Sequence, residues 1–176
     1  ILEKIYNGVV SIPLNGRSTD FSENFDVTLV GQDGEVVTSE FVTILEYIKA
    51  NNEGEDGFNV RWPAYYDSDS NLFITKMMQN NIPFIKNAES PTDKVLFNND
   101  AAKAEVQAIK DLHDNGLIMT KGANANQYGS NYFQKSEIVF SISSSGGAGY
   151  MDLGGDVEVE VVKVPYDNNP SYVSQG

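Results

Sequence analysis

Cysteine is absent from this chain, which excludes disulfides, thiol catalysis and cysteine-ligated zinc. The absence leaves the compartment open. Histidine is nearly absent too: His113 is the single one, so no metal site can be built on several imidazoles. Within KDLHDNG it falls in the last turn of a predicted helix, where a cation suits the helix dipole. That is a structural place rather than a catalytic one. Basic residues are scarce, 12 against 25 acids, for a net charge of −13. Phosphate contacts need clustered Lys and Arg, so nucleic acid is excluded as a partner and anionic membrane surfaces are disfavoured. The charge reads first as a source of solubility. No apolar run approaches the roughly 18 residues of a membrane-spanning helix. The amino terminus, ILEKIYNGVV, lacks the basic, apolar, small-residue order of a signal peptide and has no initiating Met, as expected of a mature or excised chain.

What is present suffices for one domain over residues 1–176: 40% apolar and 11% aromatic residues can build a core. VVSIPLN, Val9 to Asn15, reads as a short strand. FDVTLVGQDGEVVT reads as a hairpin turning at Asp33-Gly34. SEFVTILEYIKANN predicts a helix capped by Ser39, with Phe41, Ile44, Leu45 and Ile48 on one face. SDSNLFITKMMQNN predicts a second, capped by Ser68 or Ser70, with Leu72, Phe73 and Met77 inward. NNIPFIKN reads as a turn and short strand. NNDAAKAEVQAIKDLHDNG predicts the strongest helix, capped by Asn99 or Asp100, striped by Ala104, Val106, Ile109 and Leu112, and ended by Gly116. NQYGSNYFQKSE suggests a further short helix, and SEIVFSIS and DVEVEVVKVP read as strands. Strands alternating with helices predict an α/β layered domain.

Two stretches carry candidate chemistry. WPAYYDSDSN sets Trp62, Tyr65 and Tyr66 beside Asp67, Ser68, Asp69, Ser70 and Asn71. Flat rings with short polar neighbours suit a sugar, whose CH face stacks while its hydroxyls are hydrogen-bonded. The same stretch also reads as a helix-capping turn beside core aromatics. ISSSGGAGY, Ile142 to Tyr150, follows a strand and offers hydroxyls and bare N–H groups where α/β sheets usually bind ligands. It lacks the Gly-Lys-Ser/Thr ending of a phosphate-binding P-loop, and it also reads as a flexible loop. The acids of NNEGEDGF lack EF-hand spacing. No metal site and no cofactor are assigned, although a carboxylate-only magnesium or calcium site stays open. Carboxylates are too many for any glycosidase pair to be singled out.

Several segments, in order, resemble the extracellular solute-binding proteins of bacterial ABC importers, the family that includes maltose and glycerol-3-phosphate binders. YNGVVSIPLNGRST is similar to a family strand running through the hinge. YDSDSNLFITKMMQNNIPF resembles a cleft-facing turn and the helix after it in the second lobe. LFNNDAAKAEVQAIKDLHDNGLI resembles a long helix of that lobe. NYFQKSEIVFSISSSGGAGY and DVEVEVVKVPYDNNPSYVSQG resemble a cleft loop and the strand returning to the hinge. After IPLNGRST the family pattern departs: DFSENFDVTLVGQDGEVVTSEF stands where a Tyr-Asn pair and a Pro-x-Thr-Trp cap are usual.

The resemblance implies a periplasmic-binding-protein-like lobe, a mixed sheet flanked by helices, equivalent to the second lobe of a two-lobed protein. It implies capture of a carbohydrate or sugar-phosphate-like solute between lobes, without bond chemistry, and docking on a membrane permease. It implies an extracytoplasmic place, in the periplasm or as a cell-surface lipoprotein. The ligand-binding residues it implies are Ser143, Ser144, Ser145, Gly146 and Gly147 as donors and Trp62, Tyr65 and Tyr66 as stacking rings. Asp67, Ser68 and Asn71 are the polar contacts, with Asn15 and Arg17 near the hinge. Two other classes compete: a carbohydrate-active hydrolase domain using paired acids, and a stand-alone acidic cell-surface interaction domain.

Overall fold

Helix formation and burial coincide best at Phe41, Ile44, Leu45 and Ile48, spaced to share one face of a helix. A computed structural model of the chain describes residues 9–11, 27–30, 36–38, 40–54, 57–86, 95–151 and 159–173. In it, α1 spans Phe41–Ala50, and all four of these side chains are at most 1% exposed. Burying each contributes about 1.5–3 kcal/mol. The N-cap position is Glu40, whose side chain makes no cap bond to the helix. Ser39, expected there, lies outside the described residues.

The face of α1 packs on a parallel sheet. Its strands are β4 (Trp62–Tyr66), β5 (Ile118–Thr120) and β6 (Ile138–Ile142), in the order β5-β4-β6. Tyr66 is level with Thr120 on one side and Ile142 on the other. Parallel neighbours require crossovers. Helices α2 (Asp69–Gln79) and α3 (Asp100–Asp114) lie between β4 and β5, and the short α4 (Ser130–Phe133) lies between β5 and β6. Ala64, Tyr66, Phe58, Val60, Leu117 and Ile118 join the α1 residues in one core. The ring of Phe41 meets Phe140 edge-on at 5.5 Å. Pro63 sits in the middle of this central strand, a place proline rarely takes. Arg61 and Asp67 donate their N–H groups to the carbonyls of Glu137 (2.7 Å) and Ile142 (2.9 Å). Backbone groups alternate sides along a strand, so Pro63 faces β6 and one rung there is missing.

A separate antiparallel sheet contains β1 (Val9–Ser11), β2 (Val27–Val30) and β3 (Val36–Thr38), in that order. The predicted hairpin strands pair with Leu29 opposite Thr38 and Val30 opposite Val36. The Asp33-Gly34 turn lies outside the described residues.

Helix ends follow local chemistry. Ser68 caps α2 through the N–H of Asn71 (3.3 Å), and Asn99 caps α3 through Ala102 (2.9 Å). At the end of α3, Gly116 has φ 65°, and Leu117 N–H reaches back to Leu112 O at 2.9 Å. This left-handed cap turns the chain directly into β5. Asn81 (φ 53°) does the same after α2, with Ile82 bonded to Met77.

Three expectations change. On α3 the inward line is Ala102, Glu105, Ile109 and Leu112, while Ala104 is exposed and Val106 is 49% exposed. The predicted stripe was rotated, because Glu105 faces a buried lysine and so takes an inward place. Secondly, residues 159–165 of DVEVEVVKVP form no strand. Thirdly, the only regular pairing described in NNIPFIKN is a single bridge between Ile85 and Val95.

The carboxy-terminal segment lies on α2 through a polar seam rather than a ladder. Gln79 donates to the carbonyls of Pro165 and Ser171, each at 3.1 Å. Asn169 donates to Gln79 O at 2.9 Å, and Val173 N–H to Thr75 Oγ1 at 3.2 Å. Lys76, 2% exposed, pairs with the buried Asp167, and Asn80 bridges Asp167 (2.9 Å) to Glu105 (2.8 Å). Thr75, Lys76 and Gln79 are therefore as buried as Leu72 and Met77, which periodicity alone did not suggest. Burial lowers the Lys76 pKa, against the opposing pull of Asp167, and burial raises that of Glu105.

Two measurements test this core. Ile44→Ala removes a fully buried side chain and should cost about 2–5 kcal/mol in urea unfolding, whereas Val106→Ala should change stability by about 0.5 kcal/mol or less. Glu105 holds its proton more tightly folded than unfolded. Its contribution to stability therefore grows as pH falls from neutral into the window between its raised folded value and the ordinary glutamate value. The urea midpoint gained on going from pH 7 to about 5 should shrink in Glu105→Gln. An unchanged gain would remove Glu105 from the account.

Candidate functional site

Parallel strands end at one edge, and in α/β sheets that edge is where ligands bind. Here β4, β5 and β6 end level, at Tyr66, Thr120 and Ile142. Three loops therefore emerge together: residues 67–68 entering α2, residues 121–129, and the serine loop from Ser143. Asp67 N–H bonds Ile142 O at 2.9 Å, and Lys121 N–H bonds Tyr66 O at 3.0 Å, so each loop starts from a ladder rung. The YDSDSN turn and the SSSGG loop, far apart in sequence, become neighbours.

Two carboxylates hold the middle loop. Asp67 Oδ1 accepts from Gly129 N–H at 2.6 Å. Asp69 accepts from Thr120 Oγ1 at 2.5 Å and from Gly122 N–H at 2.8 Å. At both glycines a side chain would crowd this approach, at Gly122 only against the carboxylate of Asp69 itself. A Cβ on Gly129 would lie 2.8 Å from Tyr65 Cδ1 and 3.1 Å from Asp67 Oδ1, and one on Gly122 would lie 2.6 Å from Asp69 Oδ2. Burial raises the Asp67 pKa, while the Gly129 N–H and the charge of Lys121 act to lower it. The loop itself turns through Ala125 and Asn126 at φ 48° and 60°.

The expected stacking rings are engaged elsewhere. Tyr65 is fully buried, on the face of β4 opposite the core, stacked on Tyr132 at 5.6 Å. Its hydroxyl donates to Gln127 O at 2.6 Å and accepts from Asn124 at 3.3 Å. Burial raises its pKa. Trp62 meets Tyr132 edge-on at 5.3 Å and is partly exposed. Tyr66 is 8% exposed within the core. Neither Tyr65 nor Tyr66 has a ring face open to a solute, so the capping-turn-and-core reading describes these two tyrosines.

The polar candidates lie at the edge. Asp67 and Ser68 are half-buried and already bonded, to Gly129 and to the α2 backbone. Asn71 is half-buried in the first turn of α2. Ser143, Ser145 and Gly146 are exposed; Ser144 and Gly147 are half-buried, with Gly147 N–H on Ser144 O at 2.9 Å. The expected loop becomes a 3-10 helix at Ser145–Tyr150. Asn15 and Arg17 lie outside the described residues. Sequence reading placed Asp69 in the candidate stretch without giving it a role, and missed the KGANANQYG loop as part of this edge. Its signal was there: small residues and amides between two glycines, directly after a strand. Ser141 Oγ, in β6, is buried and has no hydrogen-bond partner among the described residues.

The chemistry available at this edge is hydrogen bonding. The carboxylates of Asp67 and Asp69 are taken by N–H and hydroxyl donors. His113 sits on α3, 3.5 Å from Asp114. Among the described residues no three His, Cys, Asp or Glu side chains converge as a metal site. An apolar cavity between α2, the sheet and Pro165 has room for about one water, too little for a solute. The chain matches none of the known protein families, curated proteins or solved structures with which it was compared.

Gly129→Ala should cost about 1–3 kcal/mol in urea unfolding, because neither Tyr65 nor the Asp67 staple can yield without loss. Gly149→Ala, where a Cβ meets nothing within 4 Å, should be close to neutral.

Proposed function

We propose that this chain is a periplasmic-binding-protein-like lobe of the solute-binding component of an ABC importer, capturing a carbohydrate or sugar-phosphate-like solute outside the cytoplasm. The observation that carries the reading is the meeting of two loops. The YDSDSN turn and the SSSGG loop, both implicated by the resemblance, leave adjacent strands at one carboxyl edge, joined by the Asp67 N–H to Ile142 O bond. Among its described residues the edge presents exposed hydroxyl and backbone donors at Ser143, Ser145 and Gly146, as half of a binding cleft would. It binds without catalysis in this reading, because the two nearest carboxylates are committed to holding a loop.

Function then follows from closure. A second lobe shutting over the edge would bury the solute and strengthen its hydrogen bonds by excluding water. The closed form would be the one a membrane permease recognises. A single lobe supplies only part of the contacts, so its affinity should be weak, in the millimolar range, about −4 kcal/mol.

The test is amide NMR titration of the chain with maltose, cellobiose, xylobiose and glycerol 3-phosphate at tens of millimolar. Saturable shifts at Ser143–Gly147 and Asp67–Asn71, abolished in Ser144→Trp, are expected. No saturable shift with any of the four would overturn the reading.

A further inference from the structure

Tyr128 occupies an unusual place on the edge. Its two chain neighbours are both pinned, one to β4 and one to the residue just after it: Gln127 O accepts from the Tyr65 hydroxyl at 2.6 Å, and Gly129 N–H donates to Asp67 Oδ1 at 2.6 Å. Behind it, Asn126 N–H bonds Lys121 O at 2.9 Å, which closes the loop on itself. The backbone at position 128 is thus held from both sides. Its side chain nevertheless points outward and is 53% exposed. The Lys121 ammonium lies 3.5 Å from the ring centroid, over one face. A single exposed tyrosine needs no explanation. A half-exposed ring on a backbone anchored at both flanking positions, with a lysine braced over one face, is prepared for a contact before that contact is made.

Resting on the solute-binding reading, we infer that Tyr128 is the aromatic platform of the edge, the residue on which the apolar face of a sugar ring stacks. Of the three stacking rings that the resemblance implied, Trp62, Tyr65 and Tyr66, it takes the part given to the two buried tyrosines. Those two rings act behind it: Tyr65 anchors the loop through Gln127, and Tyr66 fills the core. Lys121 restrains the ring, and its charge also bears on Asp67, so the platform and the carboxylate that holds its loop are linked through one side chain. An aromatic platform favours a ring with CH groups on one face. It offers little to glycerol 3-phosphate, which has no ring.

Saturation-transfer difference NMR separates this inference from the reading beneath it. The chain is mixed with maltose, cellobiose or xylobiose, and the aromatic protons are irradiated. One face of the sugar's CH protons should receive saturation. Tyr128→Ala should weaken the dissociation constant by about tenfold and remove that transfer, while Tyr128→Phe should keep both. Because the side chain is half-exposed, the Ala variant should melt within a few degrees of the parent. A sugar that binds the parent and Tyr128→Ala equally well overturns the platform and leaves the solute-binding reading standing. Saturable binding of glycerol 3-phosphate alone also overturns the platform. Failure of every probe to bind overturns both.

Discussion

A parallel strand with partners on both sides is the constraint on which the rest depends. β4 cannot pair with β5 or β6 through a tight turn, so its neighbours come from far along the chain, by way of α2, α3 and α4. That requirement gathers three strand ends into one edge. It also explains why Trp62–Tyr66 is so apolar: four of its five residues are buried, as a strand covered on both faces must be. Pro63 weakens one rung of the ladder, yet the strand holds because Arg61 and Asp67 bond to the same side on either flank.

Asp67 and Asp69 tie two of the three loops of the edge together. Each sends its carboxylate to backbone N–H groups of the 121–129 loop, and charge-assisted bonds of this kind are among the stronger ones a protein makes. A side chain at either glycine opposite them would crowd the approach. Holding the loop in this way has a consequence for function. The carboxylates that looked like ligand contacts shape the site instead, and exposure passes to their neighbours, Tyr128 and the serine loop. Under the proposed reading, a solute would meet hydrogen-bond donors and one ring face at this edge.

The polar seam on α2 shows the same economy with buried charge. A lysine in the interior is costly unless it is paired and hydrogen-bonded. Lys76 meets Asp167, with Glu105 at 3.9 Å and Asn80 between the two carboxylates. This network, rather than a strand ladder, docks the carboxy-terminal segment.

Much of the fold was legible in the sequence because it is local. The face of α1, the caps at Ser68 and Asn99, the left-handed turn at Gly116 and the strand at Ile138–Ile142 all follow from spacing and from side chains that bond their own backbone. The α/β class was legible from the alternation of these elements. What sequence could not decide was partnership. Whether Thr75 and Gln79 face solvent or a chain segment some ninety residues away, and whether Tyr65 meets a solute or Tyr132, depends on contacts between distant residues. Apolar periodicity reports that a side chain is buried, not against what. An exposed ring such as Tyr128 carries no periodic signal at all; its position depends on tertiary bonds of its chain neighbours, to Tyr65 and Asp67.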